Sequence, residues 1–228
     1  MSSLLLLGTA REKSTRIPEK MTRPFGNTTL FDIYLKKLEE VAAENHPFDE
    51  MIMAVSPLDR VIWEKSRTAD VRIVERNQAS IEAGGESPAS VVLNFLRDFP
   101  QQYVFWVNGC FPFLRPETII AVAKFFRDRR LKGLHCVRAR RNWFWDFKKR
   151  TPLNFGDEPN VATQNISPLL ESVHCLHIYD REYLLNNNRY WPLTPDNPYL
   201  YEVEESAEFL DIDTELDFTI CERLHQGR

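Results

Sequence analysis

The sequence lacks the features that mark several specialised classes of protein. Its four cysteines form no CxxC pair, so we expect reduced and mostly buried thiols, as in an intracellular protein. No apolar stretch is long enough to cross a bilayer, and the run at residues 4–7 is too short for the apolar core of a signal peptide. We therefore expect a cytoplasmic protein that makes no use of a membrane.

An excess of positive charge is also missing. The 29 Lys and Arg residues are outnumbered by 33 Asp and Glu residues, for a net charge of −4, whereas a general nucleic-acid binder needs a dense cationic surface. The charge is unevenly spread, because residues 127–150 are basic and residues 202–222 are acidic. That distribution suits an anionic substrate with a divalent metal, and ordinary solvated surface produces it too. We expect no nucleic-acid partner.

The 228 residues, 43% of them hydrophobic, suit one α/β domain with a substantial core. No internal repeat, low-complexity tract or linker divides the chain. Apolar runs and helical patterns alternate along the first 130 residues, and this order predicts a mainly parallel sheet with helices on both faces. The predicted strands are 4–7, 51–55, 71–75 and 103–107, and the predicted helices are 29–43, 58–65, one following the Ser87-Pro88 cap, and 116–130.

The pattern changes after residue 131. Strands are predicted at 134–138, 173–179 and 199–203, and a closing helix at 214–225. Between them, residues 140–200 are rich in aromatic, basic and loop-forming residues. This segment is a candidate excursion for dimerisation or for binding an acceptor. Its basic-aromatic start is less well explained as a nucleic-acid surface.

The first loop, residues 9–20, is the first candidate for chemistry. A short apolar strand ends at Gly8 and is followed by Arg11, Lys13, Arg16 and Lys20. Backbone N–H groups and fixed cations between a strand and a helix are a common way of holding phosphate. A plain basic surface loop would have the same composition.

The second candidate is the pair Asp211 and Asp213. In extended backbone, residues two apart point to the same side, so both carboxylates can approach one oxygen-preferring cation. Asp213 also precedes a predicted helix that starts at Thr214 and could cap it. An N-cap with an acidic first turn is the alternative explanation.

The histidines suggest no further site. His174 and His177 are three apart in a predicted strand and are therefore expected on opposite faces, which argues against a shared metal ion. No Ser/His/Asp arrangement for nucleophilic catalysis can be assembled from the sequence.

Residues 10–20 read A-R-E-K-S-T-R-I-P-E-K, and residues 211–217 read D-I-D-T-E-L-D. Both stretches resemble motifs of the acylneuraminate cytidylyltransferases, the CMP-sialic acid synthetases and their relatives. The loop departs from the family at Thr15, where Lys is usual, and at Met21, where an Asn that contacts cytosine is usual. Glu12 and Lys13 also replace small residues.

Weaker similarities lie between the two motifs. Arg76 ends a strand as does a family Arg near the nucleotide base, and Ser87 falls near a base-contacting Ser. Asn108 follows the apolar strand in the position of a family Gln, and Gln164 lies in a similar T-Q-N stretch. A salt-bridged strand end for Arg76 and a plain helix cap for Ser87 are equally good explanations.

The resemblance implies a three-layer, Rossmann-like nucleotidyltransferase of the glycosyltransferase-A type. It implies transfer of CMP from CTP to a 2-keto sugar acid with release of pyrophosphate, and a homodimer. The implied catalytic residues are Arg11, Lys20 and Asp211. The implied nucleotide-binding residues are Arg11, Ser14, Arg16, Lys20, Arg76 and Ser87, the implied acceptor contacts are Asn108 and Gln164, and the implied Mg²⁺ ligands are Asp211 and Asp213.

The departures keep two alternatives open. Met21 cannot make the amide contacts to cytosine, so another nucleotide or another acidic acceptor is compatible with the sequence. Glu12, Lys13 and Thr15 are also compatible with a nucleotide-binding protein that has lost catalysis.

Overall fold

The computed structural model describes residues 2–83, 86–156, 162–204 and 206–227. Residues 157–161 of the predicted excursion lie outside these ranges. Within the described ranges, none of the helices has the length and apolar character needed to cross a membrane.

A seven-stranded sheet forms the centre of the molecule. In chain order the strands are β1 Leu4–Thr9, β2 Pro24–Phe25, β3 Thr28–Thr29, β4 Glu50–Val55, β5 Arg72–Glu75, β6 Tyr103–Val107, β7 Leu134–Arg140, β8 Leu169–Asp180 and β9 Tyr199–Glu202. The order in the sheet is β5-β4-β1-β6-β8-β7-β9, and β2 pairs with β3 separately. Only β8 runs antiparallel to its neighbours in this sheet. The prediction of a mostly parallel α/β fold is therefore confirmed.

Seven α-helices surround the sheet in the described residues. They are α1 Leu30–Ala43, α2 Arg60–Ser66, α3 Gln78–Glu82, α4 Ala89–Val92, α5 Pro116–Asp128, α6 Arg181–Asn187 and α7 Glu215–Gln226. Short 3₁₀ helices cover Asn94–Asp98, Thr163–Asn165 and Ala207–Phe209.

Strand β1 shows how the sheet supports two cores. Leu4 and Leu6 belong to the larger apolar cluster, with residues of α1, α5 and α7. Leu5 and Leu7 point to the other face and join a cluster that includes residues of α6. All four leucines are fully buried, and each contributes about 1.5–3 kcal/mol by leaving water. Side-chain alternation along one strand thus fixes the three-layer arrangement.

Helix α4 corrects the expected role of Ser87. Pro88 itself occupies the N-cap position of α4, and no side chain caps the helix. Ser87 therefore lies one residue before the cap. The helix ends at Val92, after which Leu93 leaves helical geometry and a 3₁₀ turn follows.

Helix α7 corrects the expected role of Asp213. The N-cap is Thr214, whose hydroxyl accepts a hydrogen bond from the Asp217 N–H at 3.2 Å. The Asp217 carboxylate in turn accepts hydrogen bonds from the N–H groups of Thr214 at 2.7 Å and Asp213 at 3.2 Å. This capping box holds the backbone of the helix start and leaves the side chain of Asp213 available for other contacts.

Strand β8 corrects the expectation for the histidines. His135 of β7 pairs with His177 of β8, but two residues later Val137 pairs with Ser172. Four residues of β8 therefore face one residue of β7. Such a bulge breaks the alternation of side chains along the strand. His174 and His177 consequently lie side by side, with His174 Nδ1 3.2 Å from His177 Nε2.

Candidate active site

A cavity of about 540 Å³ opens beside the carboxyl ends of β1 and β6. Its walls come from the loop after β1, from the turn at residues 108–110 after β6 and from residues 211–213 before α7, here called the aspartate segment. The carboxyl ends of neighbouring parallel strands are where open α/β sheets bind ligands. The cavity therefore lies where the sheet geometry predicts a site.

The cavity brings together nine of the ten residues that the sequence singled out. These are Arg11, Ser14, Arg16, Lys20, Arg76, Ser87, Asn108, Asp211 and Asp213. The tenth, Gln164, lies exposed in the 3₁₀ turn Thr163–Asn165 and does not line this cavity in the described part of the chain.

Tyr34 of α1 fixes the start of the first loop. Its hydroxyl donates a hydrogen bond to the Val107 carbonyl at 2.7 Å and accepts one from the Thr9 N–H at 3.3 Å. A Cβ at Gly109 would come within 2.6 Å of the Tyr34 ring, so only glycine allows this approach. One buried tyrosine thus holds the ends of β1 and β6 together under the cavity.

Glu12 fixes the middle of the loop. Its carboxylate accepts hydrogen bonds from the N–H groups of Val61 at 2.6 Å and Ile62 at 3.4 Å, in the first turn of α2. Its own N–H donates to Asp59 at 3.1 Å. A carboxylate at a helix N-terminus is stabilising, so this departure from the small residue of the resembling motif has a structural role.

Lys20 and Arg16 join the loop to the aspartate segment. Lys20 is buried, and its Nζ donates to the Ile212 carbonyl at 2.7 Å and lies 4.0 Å from Asp213 Oδ1. Arg16 Nη1 lies 2.6 Å from Asp213 Oδ2. The Ile212 N–H donates to the Cys110 carbonyl at 3.1 Å, which ties the same segment to the turn after β6. Residues 192 apart in the chain therefore share one wall.

Asp211 is the carboxylate with fewest partners at this wall. Its Oδ1 is buried and accepts no hydrogen bond from the described residues. Burial, followed by the nearby charge of Asp213, raises the pKa of Asp211 to about 6. A carboxylate with these surroundings is suited to accept a cation, because a bound cation offsets both effects.

The remaining cations and hydroxyls of the loop have different exposures. Arg11 and Thr15 are exposed, and the side chain of Arg16 is 63% exposed even in its ion pair. Ser14 is half-buried, and its hydroxyl accepts a hydrogen bond from the Ile17 N–H at 3.4 Å. Met21 is buried at the cavity wall, where its thioether offers no hydrogen-bond donor. These polar side chains of the loop are thus accessible to a ligand, whereas Met21 is buried.

Arg76 and Asn108 reach the cavity from the strand ends. Arg76 Nε donates to the Ser80 hydroxyl at 2.9 Å, and Nη2 donates to the Ser80 carbonyl. Asn108 Nδ2 donates to the His174 carbonyl at 3.1 Å, while its Oδ1 accepts from the Cys110 N–H at 3.0 Å. Both side chains therefore brace the site as well as line it.

Sequence reasoning missed the cavity wall formed near β8. Trp106, His174 and Tyr190 line it, and Trp106 Nε1 donates to the Thr9 hydroxyl at 3.1 Å. Trp106 lies near the end of the predicted strand 103–107, so its position beside a site could have been anticipated. The position of His174 depends on the bulge in β8 and has no signal in the sequence.

Comparisons with known proteins identify a family and a fold. The sequence profile of a family described as cytidylyltransferase matches residues 7–134. No curated protein matches the chain in sequence.

The fold resembles solved cytidylyltransferase structures. One is a CMP:2-keto-3-deoxy-manno-octonic acid synthetase complexed with CTP, with a TM-score of 0.67, 16% identity and 99% of each chain covered. Another is the 4-diphosphocytidyl-2C-methyl-D-erythritol synthase of Anaerococcus prevotii, with a TM-score of 0.64, 16% identity and 99% of each chain covered. A cytidylyltransferase from Leptospira borgpetersenii has a TM-score of 0.58 and 14% identity, with 100% of this chain and 88% of that chain covered.

These identities are low, so the structural likeness establishes the fold alone. The family profile, in contrast, covers more than half of the 228 residues. The chain belongs to the cytidylyltransferase family of nucleotidyltransferases.

Proposed function

We propose that this cytidylyltransferase joins CMP from CTP to the anomeric hydroxyl of an eight- or nine-carbon 2-keto sugar acid and releases pyrophosphate. The observation that carries the proposal is the direct contact, in one cavity, between the cationic loop (residues 9–20) and the aspartate segment. Arg16 lies 2.6 Å from Asp213, and Lys20 donates to the Ile212 carbonyl at 2.7 Å. Such a cavity offers cations for a triphosphate next to carboxylates for a metal.

On the nucleotide side, Arg11, Arg16 and Lys20 hold the triphosphate, and Ser14 and the loop amides add hydrogen bonds. Arg16 is available for this role because its ion pair with Asp213 is exposed on both sides, at 63% and 42%. Exposed ion pairs are worth about 0–1 kcal/mol, so a triphosphate can compete for the guanidinium. Arg16 would then supply the positive charge that Thr15 does not.

Asp211 and Asp213 are the residues that would hold Mg²⁺. The fit rests on the buried Asp211 Oδ1, which has no hydrogen-bond partner in the described residues, and on the second carboxylate two residues away. Carboxylate oxygens are the ligands that Mg²⁺ takes in phosphoryl-transfer sites. When bound, the ion supplies charge neutralisation at the phosphate oxygens.

On the acceptor side, the anomeric oxygen forms the new bond to the α-phosphorus as the bond to the bridging oxygen of pyrophosphate breaks. The anomeric proton is released, and pyrophosphate carries away the negative charge. The protein's contribution is mainly to position the reactants and to stabilise the developing charge. Asn108, at the cavity wall, contacts the acceptor. Gln164 does not line the cavity formed by the described residues, so its acceptor contact stays a prediction from the sequence.

The second candidate is transfer to a different acceptor or from a different nucleotide. Met21 favours it, since a buried thioether at the cavity wall cannot read cytosine by hydrogen bonds. The fold does not separate acceptors either, because the two structural neighbours with TM-scores of 0.67 and 0.64 are named for different products.

Pyrophosphate release tests the proposal. Each of the four nucleoside triphosphates is incubated with Mg²⁺ and with N-acetylneuraminic acid, 3-deoxy-octulosonic acid or methylerythritol phosphate, with Asp211→Asn as the control. We expect release only with CTP and one of the two keto acids. Release with methylerythritol phosphate or with another nucleotide would support the second candidate. Binding of CTP without release for any acceptor would support a protein that has lost catalysis.

We also propose a homodimer formed through the segment 140–200. Its described part exposes large apolar side chains, namely Trp143, Trp145, Phe147, Leu153 and Leu170. Light scattering is expected to give twice the monomer mass. A monomer at tens of micromolar would contradict this.

A further inference from the structure

Three histidines meet beside the cavity, and nucleotide transfer as proposed above uses none of them. The bulge in β8 places His174 and His177 together, and His135 of β7 pairs with His177 across the sheet. One ring nitrogen of each residue lies within 4.8 Å of the other two. The ring centroids of His135 and His177 are 4.9 Å apart.

Two of the three rings are buried, and each has a ring nitrogen without a hydrogen-bond partner in the described residues. His135 is 6% exposed and His177 is 5% exposed. The Nδ1 atoms of both rings find no partner among the described residues. An unsatisfied buried polar group is destabilising, so two adjacent ones call for a ligand or another compensating role.

The protonation state of these rings suits metal binding. Burial, and then the neighbouring His174, lowers the pKa of His135 to about 4. Burial also lowers the pKa of His177 well below its usual value, with further contributions from His135 and His174. Both shifts disfavour the charged imidazolium, and metals are coordinated by the neutral ring.

We propose that His135, His174 and His177 bind one divalent transition-metal ion of the Zn²⁺ class. A tetrahedral ion with metal–nitrogen distances of about 2.0–2.1 Å separates its ligand atoms by about 3.4 Å. Nitrogens of His174 and His177 are already 3.2 Å apart, and one nitrogen of His135 lies within 4.8 Å of a nitrogen in each of the other two rings. Imidazole ligands select such ions over Mg²⁺, so this site is chemically distinct from the aspartate pair.

The fourth coordination position lies towards the cavity. The rings of Trp106, Tyr190 and Trp191 pack against His177, with centroids 5.1, 5.5 and 5.3 Å away. His174, in contrast, is exposed and lines the cavity. Three neutral ligands leave the double positive charge of the ion uncompensated, so an anionic oxygen ligand, such as hydroxide or a carboxylate, is favoured there.

That ligand can be the carboxylate of the acceptor, and this part rests on the proposed function, whereas metal binding does not. An ion at the β8 wall would then hold the acceptor's acid group while the aspartate pair faces the triphosphate. The chemistry predicts a preference for acceptors that carry a carboxylate.

The test uses the untagged full chain, freed of metal by a chelator and titrated with Co²⁺, whose tetrahedral complexes absorb visible light. We expect one equivalent of Co²⁺ per chain, displacement by Zn²⁺, and a rise in melting temperature on binding. His174→Ala removes an exposed ligand without disturbing the core, and we expect it to weaken binding at least about tenfold. His46→Ala is the matched control, since His46 lies outside the cluster, and it is expected to bind as the wild type does.

Absence of a stoichiometric Co²⁺ spectrum, or equal affinity in His174→Ala, would overturn the proposal. The open position is tested with pyruvate, the simplest 2-keto acid. Pyruvate is expected to change the Co²⁺ spectrum of the wild type, and an unchanged spectrum would overturn the acceptor role. Because Co²⁺ binding is read by absorbance, its outcome does not depend on whether the protein releases pyrophosphate.

Discussion

We propose cation sites at two walls beside the cavity, and these walls are built in opposite ways. The aspartate wall, formed by Asp211 and Asp213, presents oxygen ligands next to the fixed charges of Arg16 and Lys20. The histidine wall, formed by His135, His174 and His177, presents imidazole nitrogens against aromatic rings. Of these three residues His174 lines the cavity, whereas His135 and His177 are buried. Oxygen ligands suit a hard ion such as Mg²⁺, and imidazoles suit a softer one.

The two walls are encoded differently in the sequence. The aspartate wall uses charged residues in two compact stretches, which the fold joins through Lys20–Ile212, Ile212–Cys110 and Arg16–Asp213 contacts. The histidine wall depends on the bulge in β8, which places His174 and His177 on the same side although they are three residues apart. The charged stretches of the aspartate wall can be recognised in the sequence, whereas the bulge in β8 cannot.

The largest effect is expected at the aspartate wall. Asp211→Asn is predicted to lower the rate of pyrophosphate release by more than about 100-fold, because it removes a buried charge aimed at the proposed metal. The fold should survive. Asn has nearly the same shape, and it removes both the burial of a charge and the repulsion from Asp213, which together raise the pKa of Asp211.

Three measurements separate these effects. Turnover is followed by pyrophosphate release, stability by melting temperature, and the histidine wall by Co²⁺ absorbance. We expect only turnover to fall. Loss of the Co²⁺ spectrum in Asp211→Asn would show that the two walls are one site, and full turnover would remove Asp211 from the metal assignment.

Arg16→Ala is expected to have the next largest effect. The predicted loss of turnover is more than about tenfold, since a triphosphate contact is removed that Thr15 cannot replace. Stability should change by less than about 0.5 kcal/mol, because the ion pair with Asp213 is exposed. Arg67→Ala, which removes another exposed arginine with an acidic neighbour, should retain full turnover. Equal rates in the two variants would contradict the role of Arg16.

The sequence predicted more of the fold than of the site. The unbroken apolar run of β1 and the apolar face of α1 are local patterns, so their position in the core could be predicted from the sequence. Caps were less predictable. Thr214 and Asp213 are both good capping residues, and only the hydrogen bond from the Asp217 N–H to the Thr214 hydroxyl shows which one is used.

Within the site, charged positions were predictable and contacts were not. The cationic loop and the aspartates line the cavity together, as the two motifs suggested. Glu12, however, serves α2, and Asn108 braces the His174 carbonyl. Those partners come from residues far away in sequence, which single-chain periodicity does not report.

The smallest expected effect concerns Lys37, one of two buried lysines among the described residues, the other being Lys20. Lys20 lies 4.0 Å from Asp213 at the aspartate wall. Lys37 is 4% exposed, and its Nζ donates to the Phe111 carbonyl at 2.6 Å. Burial lowers the pKa of Lys37 to about 8, although Glu208 acts in the opposite direction. Lys37 is therefore a cation that the fold holds at a cost in free energy.

The sign of the resulting pH dependence follows from proton binding. Below pH 8 both folded and unfolded chains carry the Lys37 proton, whereas between pH 8 and the unfolded pKa of about 10.4 the unfolded chain binds more protons. The free energy of unfolding should therefore rise with pH in this window, by about 1 kcal/mol between pH 7 and pH 9. Lys37→Met keeps an unbranched side chain of similar length and lacks the charge, so it should not show that rise. Urea denaturation of both proteins at the two pH values measures it, and parallel pH profiles would mean that Lys37 titrates normally.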